Sequence, residues 1–221
     1  MKNNIKNIFF DVDGVLANLN FAYFNFLKNH PKYKETYADL KWEDLPKVLP
    51  IAAKYGALEL KTHPLYGVQM DQDFCASPEF FENRPLYPDV VETLKELNQK
   101  GYRQLTMSAT FNVEVKKKFL NKLLSDVTDF LTIECVEHKA FMHDSAKVDQ
   151  LEYCLKKYNL KKEETVLVDD RIYNIDAALA VGIHPVRMRC EFTTPLPDEP
   201  QYKNVPEVHN MTEFKNWLEQ S

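Results

Sequence analysis

Apolar residues in this chain come in two rhythms, and the way they alternate predicts the architecture. The short unbroken runs Ile8-Phe9-Phe10 and Thr165-Val166-Leu167-Val168 lack polar alternation, as expected of strands buried on both faces. Each stops at acids: Asp11-Val12-Asp13-Gly14 after the first, Asp169-Asp170 after the second. Elsewhere apolar positions recur at helical spacing. Val90, Val91, Leu94 and Leu97 predict a helix opened by Pro88-Asp89 and ended by Gly101; Val115, Phe119 and Leu123 give a second helix its apolar stripe. Val148, Leu151, Leu155 and Tyr158 mark a third, and Ile172, Ile175 and Leu179 a fourth that Gly182 closes. Stretches 102–107, 130–135 and 183–188 read as further strands, the last placed at an edge by Pro185, which cannot donate a ladder hydrogen bond. Asn210 with Glu213 three residues on predicts the capped start of a terminal helix carrying Phe214, Trp217 and Leu218. Strands alternating with helices define an α/β fold, a parallel sheet covered on both faces.

Residues 19–85 break this rhythm. Phe21, Phe24, Phe26, Leu27, Trp42, Leu45, Ile51, Tyr55 and Leu58, punctuated by prolines 31, 46, 50 and 64, read as a few short helices joined by turns, without a strand. Lying between the first and second strands, they form a small, mainly helical insertion domain. The expected division is an α/β core of residues 1–18 and 86–221 with an insertion of 19–85, within reach of a 221-residue chain.

Composition narrows the partners. A formal net charge of -5 argues against a polymeric nucleic acid, which normally meets a basic face, but leaves room for a small anion held by a few donors and a metal. Cys75, Cys135, Cys154 and Cys190 show no CxxC spacing and read as reduced, mostly buried thiols. The apolar run near the N-terminus ends at Asp11, too short for a secretory leader, and nothing approaches a membrane span. The expectation is a cytoplasmic protein with no membrane partner.

Candidate chemistry lies where the strands end. Singly, each signal has an ordinary explanation: Asp11-Val12-Asp13-Gly14 as a turn, Ser108 as a cap, Lys147 as a solvated lysine, Asp169-Asp170 as a helix N-cap. Three of the four, however, end inferred parallel strands, and such sheets bind ligands outside the carboxyl ends of their strands. In chain order they supply an acidic pair, a hydroxyl, a lysine and a second acidic pair. A nucleophile, a phosphate ligand, a balancing cation and a divalent-metal site are what phosphoryl transfer needs, since it depends on positioning and electrostatic stabilisation.

Phe9-Phe10-Asp11-Val12-Asp13-Gly14-Val15-Leu16, then Ser108, Lys147 and Val166-Leu167-Val168-Asp169-Asp170-Arg171 resemble, in order, the four motifs of the haloacid dehalogenase (HAD) superfamily. The resemblance implies a Rossmann-like core, with the insertion as a helical cap closing over the substrate. It implies that Asp11 attacks phosphorus and forms an aspartyl-phosphate, that Asp13 is the acid and then the base, that Ser108 binds a phosphoryl oxygen, and that Lys147 balances charge. Lys139 is the rival for the motif lysine; Lys147 is preferred because it directly precedes a helix leading into the last acidic strand. Val148 follows it where many members have proline. Magnesium would be held by the Asp11 carboxylate, the Asp13 main-chain carbonyl and Asp170, with Asp169 close by.

Asp13 points within the family to a phosphate ester, because carbon-halogen hydrolysis needs no acid there and no metal. The expected function is therefore a magnesium-dependent phosphatase acting on a small phosphorylated metabolite. A phosphomutase shares the acid, and a HAD-like binding module with little turnover is the alternative outside enzymes. Asp11 to Asn18 is also similar to the first motif of 5'(3')-deoxyribonucleotidases, whose caps stack the base on aromatic rings; Phe21, Tyr23, Phe24, Tyr37 and Trp42 are candidates here. The same rings also suit the insertion's own core.

Overall fold

A computed structural model of the chain describes residues 4–48, 68–82, 84–110, 113–137 and 146–220. The expectations for Ile51, Tyr55, Leu58, prolines 50 and 64, and Lys139 fall outside these residues. The main elements are β1 (Asn7–Phe10), α1 (Leu19–Asn29), α2 (Val68–Cys75), α3 (Val90–Gln99), β2 (Arg103–Thr106), β3 (Ser108–Thr110), α4 (Val113–Leu123), β4 (Leu131–Thr132), β5 (Cys135–Glu137), α5 (Ala146–Lys157), β6 (Thr165–Asp169), α6 (Ile172–Val181), β7 (His184–Met188), β8 (Glu207–Val208) and α7 (Met211–Glu219). They fold as two compact units, Met1–Leu16 with Leu86–Ser221, and Ala17–Pro85.

The first unit is a Rossmann-like α/β layer. Six parallel strands run in the order β4-β2-β1-β6-β7-β8. The two runs without polar alternation are its central strands, and Ile8, Phe9, Phe10, Val166, Leu167 and Val168 are all fully buried. On one face Phe9, Leu105 and Leu167 pack with Leu151 and Cys154 of α5 and Ala177 and Ala178 of α6. On the other, the Phe10 ring meets Phe214 of α7 edge-on at 5.8 Å, and the Gln104 side chain donates to the Leu94 carbonyl of α3. Burying each such large apolar side chain stabilises the fold by about 1.5–3 kcal/mol.

Three details differ from the sequence pattern. Residues 102–107 and 130–135 do not form single strands: β2 and β4 belong to the main sheet, while β3 and β5 pair as a separate two-stranded ribbon. On α4 the buried side chains are Lys116, Phe119 and Leu120, whereas Val115 is 41% exposed, so the inward face is rotated by one residue and includes a lysine. The strand containing Pro185 is not an edge strand, because β7 lies between β6 and β8. The Arg187 N–H donates toward β8, to Pro206, and strand alternation points the Pro185 nitrogen the same way. Pairing with β8 begins only at Arg187, so no ladder bond is lost at the proline.

The second unit, over its described residues, is helical. Asn18 caps α1 by accepting from the Phe21 N–H at 2.9 Å. Its core is aromatic: Phe74 of α2 lies 4.8 Å from Tyr23 and 5.3 Å from Phe26, ring centre to ring centre, and Phe26 is 5.4 Å from Tyr33. Tyr23 and Tyr37 are buried within this unit. Phe21 and Phe24 flank Trp42 at 6.3 and 5.6 Å, with Phe21 41% exposed. No helix among the described residues is long and apolar enough to cross a membrane.

Candidate active site

Strand register gathers the motif residues. Phe10 is level with Thr106 on one side and Val168 on the other, so Asp11 and Met107 leave the sheet level with Asp169, the last residue of β6. The Asp11 N–H donates to the Val168 carbonyl at 2.9 Å and the Met107 N–H to the Phe10 carbonyl at 2.6 Å. Ser108, one residue further and buried, opens β3; its N–H donates to the Glu134 carbonyl at 3.4 Å.

Lys147, the second residue of α5, reaches this strand end. Its Nζ lies 3.0 Å from Asp11 Oδ1, 3.0 Å from Asp169 Oδ2 and 3.2 Å from the Met107 carbonyl oxygen, tying the ends of three strands together. Burial pulls its ammonium pKa down, but the carboxylates of Asp11 and Asp169 outweigh that and raise it, so the lysine is a permanent cation. Burial raises the Asp11 carboxyl and Lys147 opposes the rise.

The second acidic pair divides its work. Asp169 is fully buried, and both of its oxygens accept from the Asn174 side chain at 3.0 Å; Oδ1 also takes the Arg171 N–H at 2.9 Å. Asp170 is the opposite case, since its Oδ1 is buried and has no hydrogen-bond partner among the described residues. Burial pushes its carboxyl up to about 7, with Arg171 working against the shift and Asp169 and Asp11 adding to it. Gly14, at φ 86°, makes room for this group.

Asp11, Asp169 and Asp170 can each bring a carboxylate oxygen within 4.8 Å of the others. Crowded like charges with one orphaned, buried oxygen call for a cation, and an all-oxygen donor set suits a hard divalent ion. The residues therefore fit a metal of the magnesium type.

Asp13, two residues after Asp11, is held by a group absent from the sequence-based list. Lys116 of α4 donates to Asp13 Oδ2 at 3.1 Å. Asn174 was also missed, although it lies five residues after Asp169 in the first turn of the next helix, where a side chain can reach back over the strand end. Lys116 had no such signal, because a lysine in an otherwise charged stretch of helix reads as solvated.

A profile of haloacid dehalogenase-like hydrolases matches residues 5–182, and the chain belongs to that family. It is a hydrolase of the HAD superfamily. No curated protein sequence matches the chain. Among solved structures, a haloacid dehalogenase-like hydrolase from Streptococcus pneumoniae superposes with a TM-score of 0.66 at 16% identity, over 98% of this chain and 100% of that one. A protein from Clostridium acetobutylicum described as a predicted phosphatase gives 0.68 at 16%, over 98% and 99%. A dehalogenase with an intermediate complex gives 0.63 at 14%, over 97% of each chain. At these identities the likeness establishes the fold, and phosphatases and dehalogenases share it.

Proposed function

We propose that this HAD hydrolase is a magnesium-dependent phosphatase acting on a small phosphorylated metabolite, with Asp11 as nucleophile. The observation that carries it is the orphaned, buried oxygen of Asp170 beside Asp11. A carbon-halogen hydrolase of this family has no need of a metal site, nor of an acid at Asp13.

In this reading an Asp11 oxygen attacks phosphorus as the ester bond to the leaving group breaks, giving an aspartyl-phosphate, and Asp13 protonates the departing oxygen. Asp13 then takes a proton from the water that attacks this acyl phosphate, which releases inorganic phosphate and restores Asp11. Ser108 donates its hydroxyl to a phosphoryl oxygen. Lys147 offsets the charge that accumulates between Asp11 and the phosphoryl group. Asp11, the Asp13 main-chain carbonyl and Asp170 would hold magnesium, which supplies further neutralisation of the phosphoryl oxygens. Asp169, already occupied by Asn174 and Arg171, orients Lys147.

One observation favours a nucleoside monophosphate among phosphorylated metabolites. Phe21 and Phe24 pack against Trp42 as an aromatic group, with Phe21 exposed. Accessible aromatic faces stack bases.

Phosphate release from a panel of aryl, sugar and nucleoside phosphates, with magnesium and with EDTA, tests the proposal. Release that requires magnesium supports it. Halide release from a 2-haloacid that is indifferent to EDTA, with no phosphate release, would replace it with the dehalogenase reading.

A further inference from the structure

Lys116 lies on the inward face of α4 beside Phe119 and Leu120, and only 2% of it is exposed. Taking an ammonium out of water costs several kcal/mol unless a countercharge meets it. Asp13 supplies such a countercharge, its Oδ2 accepting from Lys116 Nζ at 3.1 Å. The two acids of the first motif are thus served by two different lysines from two different helices. Lys147 of α5 holds Asp11, and Lys116 of α4 holds Asp13.

A carboxylate turns easily about its last torsion, which is broad and roughly two-fold, so a catalytic carboxylate is fixed only by what binds its oxygens. Asp169 is fixed by Asn174 on both oxygens. For Asp13 the ammonium anchors Oδ2, which fixes the plane of the carboxyl group. A proton-transferring group works only within hydrogen-bond reach and alignment of its target, so this anchoring bears on rate and not on substrate affinity.

We propose that Lys116 is a positioning residue that acts through Asp13: it holds Oδ2 and thereby aims the carboxyl at the leaving-group oxygen, without touching the substrate. The proposal rests on Asp13 being the acid–base group of the phosphatase reading. It places a requirement on α4, whose lysine at this position must face inward where an apolar residue would otherwise serve the core.

The test is a double-mutant cycle of Lys116→Met and Asp13→Asn in the full chain with saturating magnesium, read as kcat/KM. It uses two probes, 4-nitrophenyl phosphate, whose leaving group departs without help, and glycerol 2-phosphate, whose alkoxide needs the proton. In the Asp13 background Lys116→Met is expected to lower kcat/KM about 10- to 100-fold on glycerol 2-phosphate and about tenfold less on the nitrophenyl ester, a fraction of what the whole acid–base group contributes. In the Asp13→Asn background the same substitution is expected to change either rate by less than about twofold, because residues acting as one unit are not additive. Lys116→Arg, which keeps a donor, is expected to recover part of the loss.

Equal losses on both probes, or the same loss in both backgrounds, would overturn the proposal by showing a general structural role or a direct substrate contact. Near-native rates for Lys116→Met would also overturn it. Near-native rates for Asp13→Asn alone would remove the acid–base reading itself, a separate outcome from failure of the cycle. If Lys116→Met does not fold, as judged by its thermal transition, Lys116→Arg and Lys116→Gln complete the same cycle, and equal rates for the two would count against the proposal.

Discussion

A β-carbon on Gly14 would lie 2.6 Å from the carboxyl carbon of Asp170 and 2.6 Å from its Oδ2. The backbone at Gly14 also has φ 86°, where side chains with a β-carbon are strained. The absence of a side chain in the first motif is therefore what admits the acid of the last. Gly14→Ala is expected to displace Asp170 and cut both magnesium affinity and turnover by at least about tenfold, while costing about 1–3 kcal/mol of stability. Calorimetric titration of magnesium, with a thermal melt alongside, reads both effects.

Asp11→Asn should abolish phosphate release, with a loss of about 10⁴-fold or more as for other covalent nucleophiles. Acid quenching of a single turnover with radiolabelled substrate should leave label on Asp11 of the native chain and none on the variant. Label on Ser108 or a histidine would reassign the nucleophile.

Asp13→Asn and Asp170→Ala are expected to fail differently. The first keeps near-native magnesium affinity, since Asp13 would give the metal only its main-chain carbonyl, yet loses about 10²- to 10⁴-fold in turnover. The second weakens magnesium binding itself by removing an anionic oxygen. Equal loss of metal affinity in both would make the Asp13 side chain a direct ligand.

Lys147→Met removes the cation that bridges Asp11 and Asp169, leaving two buried carboxylates facing each other. Breaking a buried pair costs about 3–5 kcal/mol, or roughly 6–20 °C in Tm for a chain of this size. The loss should be largest in EDTA and smaller in magnesium, which can balance the same charges. Melts under the two conditions that shift equally would separate the lysine from the metal site.

Glu134 gives the fold an acid-sensitive joint. Burial alone would raise its carboxyl, but Lys157 at 2.5 Å and Tyr158 at 2.6 Å donate to it and hold it below its ordinary value. A depressed folded value means the stabilisation is complete above the ordinary 4.5 and disappears as pH falls through the folded value. Glu134→Gln should cost about 1–3 kcal/mol near neutrality. It should also flatten the stability profile below pH 4.5, measured by denaturant unfolding across pH.

The sequence was most legible where burial is uniform. β1 and β6 have water on neither face, so their apolar runs needed no periodicity to be recognised, and the acids that end them marked the end of the sheet where the candidate site lies. Lys147 could be placed because it directly precedes the apolar stripe that marks the helix, and it lies in the first turn of α5. Lys116 could not, because its neighbours Lys117 and Lys118 give the stretch a solvated character, and the pairing with Asp13 that helps make an inward ammonium tolerable is a tertiary contact. The same blindness shifted the apolar face of α4 onto Val115. Pro185 was read correctly as unable to donate but wrongly as an edge marker, since the length of β8, set elsewhere in the chain, decides whether a donor is needed there.

That proline has a consequence for the molecule among other molecules. Among the described residues no strand pairs with the outer side of β7 before Arg187, and an unpaired strand side invites pairing with a second chain. Pro185 removes the donor that such pairing would use first. The tapered end of the sheet is thereby a poor template for self-association, and replacing the proline with valine would improve that template without altering the active end.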